Sequence, residues 1–255
     1  MMKPYNYLHI LVLFFSVQSV QIYGQQTEID TNIQSEYNHA IKLFNSKAYA
    51  AAQKYFIEVS ENSTIKNDLK ANADYYDAMC AIKLNQTNAD KKVTSFVNNY
   101  PSSTKKDRAY FNVGNYYFAN KKAAYALKWY SKVNLDALSL ANKKELNFKM
   151  GYAFLSTRNL DLAKNKFVLL INDPKYGNDS RYYFGYISYK QEDYEIAEKT
   201  LEEIADDEAY KSEVTYYLLD ISFKAGRFEK CIEVGQKLLE NAKPKEVSEI
   251  SKIIG

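Results

Sequence analysis

A glycine followed twelve residues later by an alanine occurs three times in this chain of 255 residues: Gly114 with Ala126, Gly151 with Ala163, and Gly185 with Ala197. The glycines stand 37 and then 34 residues apart. Self-similarity at this period is the mark of stacked helical hairpins, each unable to bury its apolar face alone. The small residues let the two helices of a hairpin approach where they face each other. One helical turn beyond each alanine comes a large residue, Tyr130, Phe167 or Leu201, so the second helix carries an apolar stripe. Short polar segments such as Ser156-Thr157-Arg158-Asn159 and Gln191-Glu192-Asp193 supply the turns.

Weaker copies flank these three. Ala40, Tyr49, Ala52, Phe56 and Val59 fit the same frame upstream, and Cys80 and Phe96 fit it with Lys92 in place of the alanine. Leu219, Phe228, Cys231 and Leu238 fit downstream, with Gly235 where the aromatic is expected. The set resembles the tetratricopeptide repeat, with Gly114, Gly151 and Gly185 at its first small position and Ala126, Ala163 and Ala197 at its second. The resemblance implies an all-α fold, a right-handed α-solenoid of about six hairpins over residues 33–244. Residues 245–255 then form either a capping helix or the start of a further repeat. The phrase Tyr100-Pro101-Ser102-Ser103 before a new hairpin is similar to tetratricopeptide proteins of the bacterial envelope.

Composition agrees with a helical array. Only 8 Gly and 4 Pro leave little room for long loops, while 24 Tyr far exceed an ordinary share. Tyrosine is a middling helix former, so packing must supply part of the stability.

The N-terminus reads as a targeting segment. Lys3 precedes the apolar run Ile10–Phe15, and small and polar residues follow to Gly24. This pattern points to a secretory signal peptide over residues 1–24, with a short lead over 25–32 before the array. An uncleaved anchor is the alternative, although the run is short for a span. The expected location is the periplasm of a Gram-negative bacterium.

Several chemistries lack a carrier. Net charge is +3, and the lysine pairs 105–106, 121–122 and 143–144 fall at separate turns rather than in the stripe that nucleic acid requires. Beyond residue 24 the one histidine is His39, with no ligand set spaced around it, so no metal and no cofactor are expected. Cys80 and Cys231 read as small buried hydrophobes. No phosphate loop or nucleophile elbow is present, so the chain is not expected to be an enzyme.

The resemblance implies that first helices line a concave groove. Its groove positions fall on Phe111, Asn115, Phe118, Phe148, Tyr152, Tyr182, Tyr186, Tyr189, Tyr216 and Phe223. One tetratricopeptide subfamily clamps a carboxylate there; Asn115 matches that clamp, but Phe111 and Phe148 replace its lysines. Aromatics at helical spacing also fill seams between hairpins, so both roles stay open. The expected partner of this non-catalytic scaffold is a protein or peptide of the cell envelope, with membrane association at most indirect; the alternatives are an envelope carbohydrate such as peptidoglycan, or a chain that forms the N-terminal part of a larger repeat protein whose activity lies elsewhere. Intact-mass measurement on protein from the native host should show a mature chain beginning at Gln25; a full-length mass in the membrane fraction would mean an anchor.

Overall fold

The computed structural model describes residues 32–62 and 67–239, together with 247, 250, 251 and 254. The expected signal segment 1–24, most of the lead and most of 245–255 lie outside the described residues. Among those described there are helices and turns but no strand. Through residue 239 the described α-helices are α1 (32–45), α2 (Tyr49–Glu61), α3 (Asn67–Lys83), α4 (Ala89–Asn99), α5 (Lys106–Ala119), α6 (Ala123–Tyr130), α7 (Leu140–Ser156), α8 (Leu160–Phe167), α9 (Gly177–Lys190), α10 (Tyr194–Glu202), α11 (Lys211–Lys224) and α12 (Phe228–Leu239), and residues 247, 250, 251 and 254 are helical as well. Helices α1 to α12 form six successive hairpins, as read from the sequence. Three residues form a 3₁₀ turn between α6 and α7, Leu135–Ala137. They correspond in number to the excess of the 37-residue spacing over 34.

Every hairpin turn uses one device. A single residue takes a left-handed conformation just past the first helix: Lys47, Asn85, Lys121, Arg158, Glu192 and Gly226, with φ between 55° and 69°. The next residue's N–H then reaches back across the helix end. Ala48 donates to the Leu43 carbonyl, Gln86 to Ala81, Lys122 to Tyr117, Asn159 to Phe154, Asp193 to Ser188 and Arg227 to Ser222, each at 2.9 Å. This closure satisfies carbonyls that a helix terminus otherwise leaves open, and it reverses the chain within three residues.

The chain divides into two compact units, up to Tyr116 and from Tyr117 onward, so the boundary lies within α5. In the first unit, Ile33 and Ala40 of α1, Ala52, Phe56 and Val59 of α2, and Ala73 and Cys80 of α3 form one core. Phe56 stacks on Tyr76 at 5.1 Å. A polar link crosses the same hairpins: the Gln53 amide donates to Asp77 Oδ1 at 2.8 Å and exchanges bonds with Gln86, while Lys92 Nζ lies 2.6 Å from Asp77 Oδ2.

In the second unit the cores sit between consecutive hairpins. Ala163 and Phe167 of α8 pack with Ile187 of α9. Ala197 and Leu201 of α10 pack with Val214, Leu218 and Ile221 of α11. The glycines therefore do not chiefly face their alanines. A Cβ on Gly151 would lie 3.0 Å from Phe167 Cε1 and Cζ, and one on Gly185 would lie 2.7 Å from Leu201 Cγ and Cδ2, with the Ala197 carbonyl at 3.6 Å. The close partner is the large residue sixteen positions on. The alanines meanwhile leave room for the first helix of the next hairpin. In the sixth hairpin the sizes reverse, with Leu219 on the first helix and Gly235 on the second. Ile254 fills the space over Gly235, and Ile250 joins Leu219 and Cys231 in the core.

Gly185→Ala should lower stability by about 1–3 kcal/mol, because Leu201 Cγ, a branch point close to the backbone, must move. Urea denaturation would read the change, and coincident curves would show that this contact is loose.

Candidate binding surface

Eight of the ten residues at candidate groove positions lie in the second unit; Phe111 and Asn115 lie in the first. The structure corrects one of them. Phe111 is 4% exposed and belongs to the core: α5 is covered on two sides, since Ala109 and Val113, which lie on the face opposite Phe111, are fully buried as well. Asn115 is half-buried. In the second unit, Tyr152 is 41%, Tyr216 36% and Phe223 44% exposed. Phe118, Phe148, Tyr182, Tyr186 and Tyr189 are half-buried.

Helical spacing positions these rings. Tyr182, Tyr186 and Tyr189 repeat at intervals of four and three along α9, which places them on one face. The faces of successive first helices then meet ring to ring. Phe118 contacts Tyr152 at 5.8 Å, and Tyr152 contacts Tyr183 at 5.6 Å. Tyr183 touches Tyr182 at 5.3 Å, and Tyr186 reaches Tyr217 at 5.7 Å. Tyr217 closes on Tyr189 at 5.0 Å. Phe148 is drawn off this path and stacks on Tyr176 at 4.9 Å. Edge-on and offset contacts of this type add to area burial.

Tyr183 and Tyr217 were not among the sequence candidates, yet they join α7 to α9 and α9 to α11. Their signal was present: the pairs Tyr182-Tyr183 and Tyr216-Tyr217 stand 34 residues apart, one repeat. Tyr176 and Tyr210, which stack on Phe148 and Tyr182 from the inter-hairpin loops, follow the same spacing.

Polar groups and cations cover the surface unevenly. The Tyr189 hydroxyl donates to Asp220 Oδ2 at 2.6 Å, and Tyr210 donates to Asp179. Burial, and for Tyr189 the bond to Asp220, push the phenols of Tyr183 and Tyr189 up to about 12. Lysine ammonium groups sit over ring faces: Lys149 over Phe118 at 5.6 Å, Lys190 over Tyr186 at 5.6 Å, and Lys224 over Tyr189 at 4.9 Å. Tyr152, Tyr216 and Phe223 are the most exposed of the candidates.

Other features offer little chemistry. Among the described residues no three His, Cys, Asp or Glu side chains gather to hold a metal. His39 is exposed and meets Tyr55 edge-on at 4.9 Å. A polar cavity of about 370 Å³ at the start of α9 is lined by Asn172, Asp173, Lys175, Asn178, Asp179 and Arg181. Its main charges are already engaged: Asp173 with Lys144 at 2.6 Å, Arg181 with Glu203 at 2.6 Å, and Asp179 with Tyr210. The Lys144 contact holds the Asp173 carboxyl below its usual range. No helix among the described residues is long and apolar enough to cross a membrane.

No known family's sequence model matches the chain, and no curated protein matches it by sequence. Solved structures do. A tetratricopeptide repeat protein from Parabacteroides merdae is 11% identical, covers 83% of this chain and 80% of its own, and superposes with a TM-score of 0.54. Pseudomonas aeruginosa pilF is 13% identical over 81% of this chain and 90% of its own, with a TM-score of 0.48. Kinesin light chain TPR-like repeats of Podosopora anserina are 10% identical over 77% and 97%, with a TM-score of 0.49. The first of these carries the assignment: the fold is that of a tetratricopeptide repeat protein.

The raised phenols give stability a pH dependence of definite sign. Tyr75, Tyr100, Tyr183 and Tyr189 are pushed up to about 12, chiefly by burial. An unfolded chain ionises its tyrosines near 10. Their contribution is therefore whole below about pH 10 and lost as pH rises from there toward 12. Urea midpoints should fall across that window, with ultraviolet phenolate absorbance rising as the protein unfolds. A flat midpoint would mean that the rings are freely solvated.

Proposed function

We propose that this chain, a tetratricopeptide-fold protein, is a non-catalytic adaptor. It binds a protein or peptide partner through the aromatic face of its first helices. The carrying observation is the exposure of Tyr152, Tyr216 and Phe223 on α7 and α11, beside a half-buried row of tyrosines that fixes their helices. Rigid aromatic side chains with polar tips give contact area at small entropic cost, and such residues dominate binding energy when a partner buries them.

The N-terminal sequence supports export, and the Tyr-Pro-x-Ser phrase supports a setting in the bacterial envelope. The reading we place there is assembly or maintenance of that envelope. A carbohydrate partner is less well supported, since stacking on a sugar needs open ring faces and lysines overlie those of Phe118, Tyr186 and Tyr189.

The test pairs affinity with stability. The immobilised protein should capture a protein from envelope extract and fail to bind purified sacculi. Tyr152→Ala, Tyr216→Ala and Phe223→Ala should each weaken capture by about 1–3 kcal/mol with little change in melting temperature. Phe111→Ala should instead destabilise by about 3–5 kcal/mol, as a core aromatic does. Binding loss only in proportion to unfolding in all four variants would remove the partner surface.

A further inference from the structure

Three positions recur at the turn end of each hairpin: the next-to-last residue of the first helix, the first residue of the second helix, and the residue one turn beyond that. In hairpin four they are Leu155, Leu160 and Lys164, in hairpin five Tyr189, Tyr194 and Glu198, and in hairpin six Phe223, Phe228 and Ile232. The first two sets are half-buried, and each engages the hairpin that follows. Leu155 and Leu160 pack with Phe184 against the core that holds Ile187, and Lys164 lies 3.4 Å from Asp193. Tyr189 meets Tyr217 at 5.0 Å and Asp220 at 2.6 Å, Lys224 stands over Tyr194 at 5.3 Å, and Glu198 pairs with Arg227 at 2.7 Å.

The third set is open. Phe223 is 44%, Phe228 60% and Ile232 44% exposed, and the two phenylalanines meet edge-on at 6.2 Å. Each member also lacks the polar group of its counterpart in hairpin five: Phe223 stands for Tyr189, Phe228 for Tyr194 and Ile232 for Glu198. A seam surface that faces water gains from polar tips, so their loss here marks a surface that is covered in use. The chain's own return covers a different part of α12. Ile250 joins Cys231, and Ile254 stands over Gly235. The equivalents in hairpin five, Ala197 and Leu201, pack with Val214 and Leu218 of the following first helix. Ile250 and Ile254 thus take the place of that helix over half of the seam and leave the turn-end half bare.

What fills the same half in hairpin five specifies the occupant. It is the helical face of Tyr217, Asp220 and Lys224, at intervals of three and four. With the polar tips gone, the counterpart at hairpin six needs apolar residues at those intervals. A second copy stacked head to tail does not supply them, since α1 turns Gln34, Asn38, His39 and Lys42 to solvent. We propose that the partner presents an amphipathic helix, apolar at intervals of three and four, which docks on Phe223, Phe228 and Ile232 as the end of a further first helix would. The inference rests on the adaptor reading for the existence of a partner and adds its form, a helix rather than an extended strand.

An NMR titration of the isotope-labelled protein tests it. The probe is a capped synthetic peptide of about 18 residues, long enough to be helical, made of Ala, Glu and Lys except for Leu at i, i+3 and i+7. A control peptide of the same composition spreads its leucines around the helix. Saturable amide shifts should cluster within residues 223–232, and the control should leave the spectrum unchanged. Phe228→Ala and Ile232→Ser should each weaken binding about tenfold or more, with helix content by circular dichroism as in wild type, since both sites are exposed. No saturable shift, shifts elsewhere, or binding indifferent to both substitutions overturns the proposal. A dimer in sedimentation velocity that Ile232→Ser dissociates also overturns it, by assigning the three residues to a second copy. Capture of the envelope partner that falls with Tyr152→Ala but not with Phe228→Ala or Ile232→Ser sinks this inference alone. Peptide docking here with capture indifferent to Tyr152→Ala and Tyr216→Ala removes the tyrosine face and leaves this site.

Discussion

The hairpins depend on a contact between a small residue on the first helix and a large one sixteen positions later on the second. In hairpins four and five the approach is so close that a single added methyl would lie within 3.0 Å of its neighbour. The same spacing recurs in the sequence as Ala40 with Phe56, Cys80 with Phe96 and Gly114 with Tyr130. It returns with sizes exchanged as Leu219 with Gly235. Close-packed interiors conserve volume rather than identity, so the exchange is permitted provided something fills the altered space. At Gly235 that filler is Ile254, which makes the final helical residues part of the sixth hairpin's packing.

This contact sets the distance between paired helices, and the turns set their direction. Five of the six left-handed turn residues are not glycine. Each accepts a backbone cost of about 1–2 kcal/mol. The uniform 2.9 Å return bonds show why the cost is tolerated: the geometry that strains one residue satisfies the preceding helix's last carbonyls. Gly226 alone escapes the strain, with nothing within 4 Å of where a side chain would stand. Helix propensity contributes little in a chain so rich in tyrosine and asparagine. Repetition of one turn and one contact does that work instead.

The repeat and the all-α class were legible because glycine and alanine recur at fixed spacing. The pairing of Gly185 with Leu201 was less so, since a small residue announces close approach without naming what approaches. Phe111 was misplaced because its register matches Tyr182 and Tyr216, but α5 is buried on that side as well as on the opposite face that carries Ala109 and Val113. Register fixes an angle around a helix, not what stands opposite. Tyr183 and Tyr217 were missed because one of two adjacent tyrosines already occupied the expected position, although their 34-residue separation was available.

Tyrosine explains how one surface holds hairpins together and still meets water. Tyr182, Tyr186 and Tyr189 bury their ring bodies against Tyr210 and Tyr217, which a leucine could also do. A leucine has no polar tip. The hydroxyls of Tyr189 and Tyr210 reach carboxylates on the adjoining hairpin, Asp220 and Asp179. The seam is thereby closed at its wet edge by a charge-assisted bond rather than left as an apolar strip. A partner laid across this face would meet helices already locked by those bonds and would lose little in ordering them. Binding energy would then reside in the rings that the seam leaves uncovered, Tyr152, Tyr216 and Phe223, and the half-buried rings would act by holding those three in place.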